Sequence, residues 1–197
     1  NSMTTAAQAS IMLDTTPPGT PTILLRDAAT ASTSITNART VNVATGGMIS
    51  ANGRGFYRQA GPGRAAVIQG YGGGHGGLGG RSDGVTGGLT YGLSNAPSAL
   101  GSGGALTDAG RPGGGAIRVV ATNSVTVEGS ITANGDAGAL SIGGGGSGGS
   151  VWLEANTLAG GGSIFAKGGA SGGAGSGGGG GGRILLKYTT KSFTGTN

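Results

Sequence analysis

The sequence predicts an all-β protein, a short parallel β-solenoid, and three observations lead to that fold class. Glycine makes up 50 of the 197 residues, and a glycine inside a helix costs about 1 kcal/mol relative to alanine. The glycines are concentrated in residues 53–115 and 135–182, and the glycine-poor segments between and around them have strand character. Those segments also repeat at a spacing of about 33 residues, which is typical of solenoids.

The glycine-poor segments carry the side-chain alternation of half-buried strands. Ala116–Ala121 is followed by Ser124–Glu128 and Ser130–Ala133. Val125 and Val127 alternate with polar residues, as expected where one face of a strand packs on a core. We therefore predict that Ile, Val, Leu and Ala point inward, and that Thr, Ser, Asn and Lys point outward.

Two short patterns recur and define the repeat. The first is anchored on three apolar residues separated by 34 and 33 positions: Ile117, Val151 and Ile184. The second, Gly-x-Ile-x-Ala-x-Gly, is anchored on three isoleucines: Ile49, Ile131 and Ile164. The first two of these isoleucines are 82 positions apart and the last two are 33 apart. This spacing predicts a solenoid domain over residues 23–197 with a long insert at about 54–114.

The glycine-rich stretches need an explanation of their own. Residues 70–80, 143–149 and 168–182 leave the repeats at the same point. Glycine can form an extended left-handed helix with three residues per turn and no internal hydrogen bonds. Such helices can bond side by side, which predicts an ordered layer of polyglycine II type. Flexible hairpin loops are the alternative.

The N-terminal arm, residues 1–22, has a different composition. A short apolar run consists of five residues: Ala9, Ser10, Ile11, Met12 and Leu13. It precedes Asp14–Pro21, in which Pro17-Pro18-Gly19 stiffens an extended connection. Such a strand can add to the sheet edge of a neighbouring subunit, and identical subunits would then form an open filament. The alternatives are a strand that caps its own solenoid and a linker within a longer chain.

The repeated patterns Gly-x-Ile-x-Val-x-Ala and Val-x-Val-x-Gly-x-Ile-x-Ala-x-Gly resemble the coils of filamentous-haemagglutinin-type bacterial adhesins, which are right-handed parallel β-solenoids. The glycine inserts are similar to modules of large secreted bacterial surface proteins. They also resemble the polyglycine II bundles of some phage tail-tip adhesins and of receptor kinases related to anaplastic lymphoma kinase. Asp14–Pro21 resembles the opening of bacterial Ig-like repeats. The resemblance covers residues 35–190 and implies an extracellular or cell-surface protein, without assigning binding residues.

Composition narrows the functional classes. The chain has no cysteine, which excludes disulfide scaffolds and cysteine-ligated zinc. No apolar run is long enough to span a membrane.

The charged residues are scattered along the chain, which has a net charge of +5. The arginines around Tyr57 match RNA-binding segments poorly, so we expect no nucleic-acid partner. A glycosidase would need two nearby carboxyls, and only neighbouring coils could bring Glu128 and Glu154 together. We therefore expect no enzyme, cofactor or metal site.

The remaining candidate contacts are aromatic or basic residues in the loops and on one strand. They are Phe56, Tyr57, Arg58, Tyr71, His75, Tyr91 and Trp152. Alternation places Trp152 on the outside of its strand, unless the glycine layer covers it. The sequence predicts a structural subunit of an extracellular filament that polymerises through its N-terminal strand. The alternative is an adhesin tip that binds carbohydrate or a host receptor through exposed loops. A polysaccharide-acting β-helix enzyme is a remote third possibility.

Overall fold

The computed structural model describes residues 32–65, 70–81, 87–105, 110–139 and 142–197. The N-terminal arm, with Ala9–Leu13, lies outside these residues. The described residues form seven strands and no helix, so the all-β prediction is confirmed. The strands are β1 (Ser32–Val43), β2 (Met48–Ser50), β3 (Ala116–Val127), β4 (Ser130–Thr132), β5 (Ser150–Gly160), β6 (Ser163–Phe165) and β7 (Arg183–Phe193).

The strands form two sheets of parallel pairs. The long strands make a four-stranded sheet in the order β1-β3-β5-β7, and the short strands make a three-stranded sheet in the order β2-β4-β6. Each of the first three long strands is followed by a short strand, so the chain alternates between the two sheets. A further bridge pairs Ser163 with Thr196 beyond β6.

The anchors of the repeated patterns are direct neighbours in these sheets. Ile117 lies opposite Val151, and Val151 lies opposite Ile184. In the short sheet, Ile131 lies between Ile49 and Ile164. Equivalent positions of successive repeats therefore form ladders of apolar residues across each sheet.

The ladders supply the hydrophobic core. Buried apolar residues of both sheets belong to one cluster. At its centre, Val119, Val125, Ile131, Val151 and Ile164 are each 0% exposed. Since a fully buried Val or Ile side chain contributes about 1.5–3 kcal/mol, this cluster is the main source of stability for the two sheets.

The strand boundaries differ from those predicted at two places. Ala116–Ala121 and Ser124–Glu128 were expected as separate strands, but β3 runs through both, with a register shift between Val120 and Ser124. β3 has one more residue than β5 across that shift, and a ladder takes up such an extra residue as a local irregularity. The strand β1 had no counterpart in the repeated patterns, because its ladder positions opposite Ala116 and Ile117 are Ser32 and Thr33.

Candidate functional site

The glycine-rich segments pack beside the sheets and bond to one another through their backbones. The segment 143–149 lies at the centre of this packing. Its amides at Gly145 and Gly148 donate to the carbonyls of Gly177 and Gly180, at N···O distances of 3.0 and 2.9 Å. Donors three residues apart on one segment therefore meet acceptors three residues apart on another.

The other amides of this segment point to two further neighbours at the same interval. Gly144 and Ser147 donate to Ala105 and Ser102, and Gly146 and Gly149 donate to Asp136 and Ala133. Carbonyls of the same segment accept bonds from three more parts of the chain. Those donors are the amides of Gly73, of Arg111 and Gly114, and of Gly169 and Gly172. Arg183, which continues the segment of Gly177 and Gly180, also donates to Gly149. The central segment is thus bonded on all sides by six neighbouring pieces of chain.

The packed glycine-rich segments are called the glycine layer below. Close approach of their backbones explains why they consist of glycine. A Cβ added at Gly146 would lie 2.0 Å from the carbonyl oxygen of Pro112, and one at Gly148 would lie 2.1 Å from that of Ala166. Neither carbonyl belongs to a flexible side chain that could move aside. In contrast, a Cβ at the exposed Gly181 would meet nothing within 4 Å.

Two of the predicted contact residues lie inside this layer. His75 and Tyr71 were expected on exposed loops, but His75 is 0% exposed and Tyr71 is 1% exposed. Tyr71 packs with Ala65 and Ala105 in a second, smaller apolar cluster. The expectation of solvent exposure is therefore wrong for both, because the glycine segments that surround them pack together instead of forming open loops.

The imidazole of His75 bonds across the layer. Its Nδ1 lies 2.8 Å from the carbonyl oxygen of Gly148, so Nδ1 carries the proton and Nε2 is left with a lone pair. Nε2 is buried and has no hydrogen-bond partner among the described residues. The ring packs against Tyr91, with 4.8 Å between centroids. Burial lowers the pKa of His75, and the nearby positive charge of Arg183 lowers it further.

Tyr91 belongs to a small polar network that joins the layer to the sheet. Ser102 Oγ donates to the Tyr91 hydroxyl at 2.9 Å, and the Tyr91 hydroxyl donates to the carbonyl of Leu100. Burial raises the pKa of Tyr91. Arg183, the first residue of β7, donates from Nε and Nη2 to the Tyr91 carbonyl at 3.1 and 3.0 Å. Tyr91 is therefore half-buried and engaged within the protein.

Two serines in this network were missed by the sequence analysis. Ser102 donates its amide to Ser147 Oγ at 2.8 Å, and Ser102 Oγ accepts the amide of Gly63 at 2.9 Å. Both serines are 0% exposed. Each occurs in the same tetrapeptide, Gly-Ser-Gly-Gly, at 101–104 and 146–149. The same tetrapeptide recurs at 175–178, where Ser176 is also buried. This repeated interruption of three glycine strings is the signal that could have identified the buried serines.

Tyr57 is the most exposed of the predicted contacts, and Phe56 and Arg58 beside it are half-buried. Tyr57 is 63% exposed, and the Arg58 guanidinium lies 5.1 Å from the centre of its ring. The ring of Phe56 lies against Gly61. An exposed aromatic ring beside a cation is an arrangement that suits planar or hydroxylated ligands.

Trp152 lies on the outer side of β5, as alternation predicted, and is half-buried. The Arg118 guanidinium covers its ring at 4.5 Å from the ring centre. Both residues occupy one ladder position, which continues to Leu185 on β7. Trp152 is therefore stacked within the protein rather than projecting freely into solvent.

The structure does not bring Glu128 and Glu154 together. Glu154 lies opposite Val120, eight residues before Glu128, which corresponds to more than about 20 Å along the strand. Glu154 bonds to Lys187 at 2.7 Å, and Glu128 accepts the amide of Gly161 at 3.1 Å. Within the described part of the chain, no three His, Asp or Glu side chains are grouped so that they could hold a metal ion.

Comparison with known proteins adds no identification. No protein-family model matches the chain, and no curated protein or solved structure is detectably similar to it. The resemblance to filamentous-haemagglutinin-type adhesins therefore stays a prediction. A search of the described residues finds no helix with the length and hydropathy needed to cross a bilayer.

Proposed function

We propose that the chain is a structural subunit of an extracellular or cell-surface filament, built on a short parallel β-solenoid of about 33 residues per coil. The support for the solenoid is the register: Val151 pairs with Ile184, Ile131 pairs with Ile164, and both pairs are 33 positions apart. Alternation of the chain between two parallel sheets is the expected path of such a coil.

The glycine segments form a bundle of polyglycine II type in this proposal. The support is the three-residue interval of the hydrogen bonds around segment 143–149, since an extended left-handed helix repeats every three residues. Six bonded neighbours correspond to side-by-side packing of such helices. Such backbone hydrogen bonds do not depend on charged or large side chains. The low content of charged and aromatic residues, 10% and 4%, therefore suits a durable structural protein.

One observation carries the polymerisation. Among the described residues, the long sheet ends at β7, an edge strand whose inner face is incompletely covered. Val151 and Leu153 of β5 are 0% and 1% exposed, whereas their ladder neighbours Ile184 and Leu186 of β7 are only partly buried. An unpaired strand edge with apolar side chains is a template for another strand. The apolar run Ala9–Leu13 supplies such a strand, and the partner is a second copy of this chain.

Electron microscopy tests this proposal. It compares the purified full chain with a variant that lacks residues 1–19. We expect filaments from the full chain and single particles from the variant, because only the full chain carries the added strand. Circular dichroism of both proteins controls for loss of folding. Single particles from both proteins would contradict the filament function.

A second candidate function is favoured by the exposed Tyr57 beside Arg58. This pair would contact carbohydrate or a receptor if the chain is an adhesin tip. A glycan array probed with the native chain and with Tyr57→Ala distinguishes the two candidates. The matched control is Leu93→Ala, since Leu93 is equally exposed at 66%. Binding that is lost only in Tyr57→Ala would support the adhesin tip.

A further inference from the structure

The order of small and large side chains along the edge of β7 matches residues 9–13 in one register. The β7 edge is defined here as Arg183–Lys187, on the side of β7 that faces away from β5. Among the described residues, β5 is the sole strand paired with β7. Ile184 and Leu186 are the inward residues of this segment, because they continue the ladder positions of the buried Val151 and Leu153.

The same end of the short sheet is already covered. The amide of Ile164 in β6 donates to the carbonyl of Thr196 at 2.9 Å, and Ser163 pairs with Thr196. Phe193, at the end of β7, is 5% exposed. On β7 itself, residues 187–192 are exposed. The apolar inward residues left incompletely covered are Ile184, Leu186 and Tyr188, and a strand of about five residues covers the first two.

We infer that residues 9–13 of a second copy of this chain pair in parallel with the β7 edge, with Ile11 opposite Ile184. This assignment rests on the proposed filament function and deepens it by giving the direction and the register of the added strand. Leu13 then lies opposite Leu186, and Ala9 lies opposite Gly182. The outward residue Met12 lies opposite Leu185, beside the ladder of Arg118 and Trp152.

Side-chain size selects the parallel direction. Two residues before the apolar anchors, immediately ahead of β5 and β7, the chain has glycine at Gly149 and Gly182, whose backbones lie close together. In the parallel register the small Ala9 lies over Gly182 and the larger Leu13 lies over Leu186. In the antiparallel register Leu13 would lie over Gly182, and Ala9 would leave Leu186 half covered.

The stiff Pro17-Pro18-Gly19 connection favours a strand from a partner copy, because it opposes a turn back across the chain's own sheet. Residues 14–31 lead from the added strand to Ser32, the start of β1, which is the opposite edge of the sheet from β7. In a head-to-tail stack, the β1 edge of one copy lies next to the β7 edge of the following copy. Eighteen residues reach at most about 60 Å when extended. This length spans the connection to a partner copy as well as the chain's own sheet, so the crosslinking test below has to separate the two.

Disulfide crosslinking gives a direct test, because the native chain has no cysteine. One preparation carries Met12→Cys alone and another carries Leu185→Cys alone. Neighbouring strands lie about 4.8 Å apart, within the Cα separation that a disulfide requires. After mixing and oxidation, we expect a reducible species of twice the chain mass that contains one copy of each variant. Mixing Ser10→Cys with Leu185→Cys is the control for direction, and we expect at least a tenfold lower yield.

The outcomes separate this inference from the proposed function. If filaments form but the Met12→Cys and Leu185→Cys chains do not crosslink, β7 is not the acceptor strand. The filament function would still stand. A higher yield from Ser10→Cys would overturn the parallel register. The double variant Met12→Cys/Leu185→Cys completes the set: if it closes a disulfide only within single, unpolymerised chains, the strand caps its own sheet, and the filament function fails.

Discussion

His75 Nδ1 donates to the carbonyl of Gly148 where a backbone amide would otherwise be expected. The amide of Gly73 donates to Gly145 at 3.0 Å, and the next donor at the three-residue interval would be Gly76, facing Gly148. Gly76 instead donates to Gly181 at 2.9 Å. Because the Gly76 amide bonds to Gly181, the Gly148 carbonyl lacks a backbone donor. The His75 imidazole, at 2.8 Å from the Gly148 oxygen, supplies the hydrogen bond instead.

Replacing His75 tests that relationship. His75→Ala removes the donor and leaves a buried carbonyl and a cavity, so we expect the free energy of unfolding to fall by about 3 kcal/mol. His75→Asn keeps an N–H close to the Nδ1 position, and we expect a loss less than half as large. Chemical denaturation followed by circular dichroism measures both. Equal losses in the two variants would show that packing, not the Gly148 bond, is what His75 contributes.

The lowered pKa of His75 predicts that the protein is less stable in mild acid. The ordinary pKa of histidine is about 6.5, and burial beside Arg183 lowers the folded value. The unfolded chain therefore binds more protons than the folded chain as pH falls below about 6.5, and stability decreases. The other titratable group facing the ring is Tyr91, which stays neutral there. Urea midpoints between pH 7 and 5.5 should fall for the native chain and stay nearly level for His75→Asn.

The strand ladders could be predicted from the sequence because apolar side chains mark them. Ile117, Val151 and Ile184 recur at nearly equal intervals, and they are neighbours in one sheet. The strand β1 was not predicted, because Ser32 and Thr33 carry no apolar signal at the same ladder positions. The apolar residues of β1 that pack on the core, Ile35, Val41 and Val43, lie at later ladder positions, outside the repeated pattern.

The partners within the glycine layer could not be predicted, because glycine has no side chain that distinguishes one neighbour from another. Segment 143–149 could pair with any glycine string of similar length. The choice of residues 102–105, 133–136 and 177–180 depends on where the strands place each segment. The burial of His75 follows from the same cause, since Gly148, its partner, is 73 positions away.

The ion pair between Lys187 and Glu154 should contribute little to stability. Their side chains are 64% and 27% exposed, and exposed pairs are typically worth less than about 1 kcal/mol. The hydrogen bond from Lys187 lowers the pKa of Glu154, so its small contribution is present above about pH 4.3 and is lost as pH falls through the folded pKa.

Lys187→Met should raise the pKa of Glu154 towards its ordinary value, and an NMR titration of the Glu154 carboxyl measures this change. The matched control is Lys191→Met, which removes the same charge from the same strand at the ladder position of Leu158. An unchanged Glu154 pKa in Lys187→Met, or an equal change in both variants, would contradict the contact.

Alanine substitutions at two glycines test whether the glycine segments are closely packed. One glycine is in close contact with a neighbouring backbone and the other is not. Gly146→Ala places a Cβ 2.0 Å from the Pro112 carbonyl, and backbone segments must move apart to admit it. We expect the free energy of unfolding to fall by about 1–3 kcal/mol or more. Gly181→Ala meets nothing within 4 Å, so its effect should stay within about 0.5 kcal/mol.

Denaturant unfolding of the two alanine variants measures the difference, and hydrogen exchange of the Gly145 and Gly148 amides locates it. In Gly146→Ala these amides should exchange faster, because their bonds to Gly177 and Gly180 depend on the same spacing of segments. Gly181→Ala should leave them protected. If both variants unfold like the native chain, the glycine segments are not closely packed, and the polyglycine II bundle must be abandoned in favour of flexible loops.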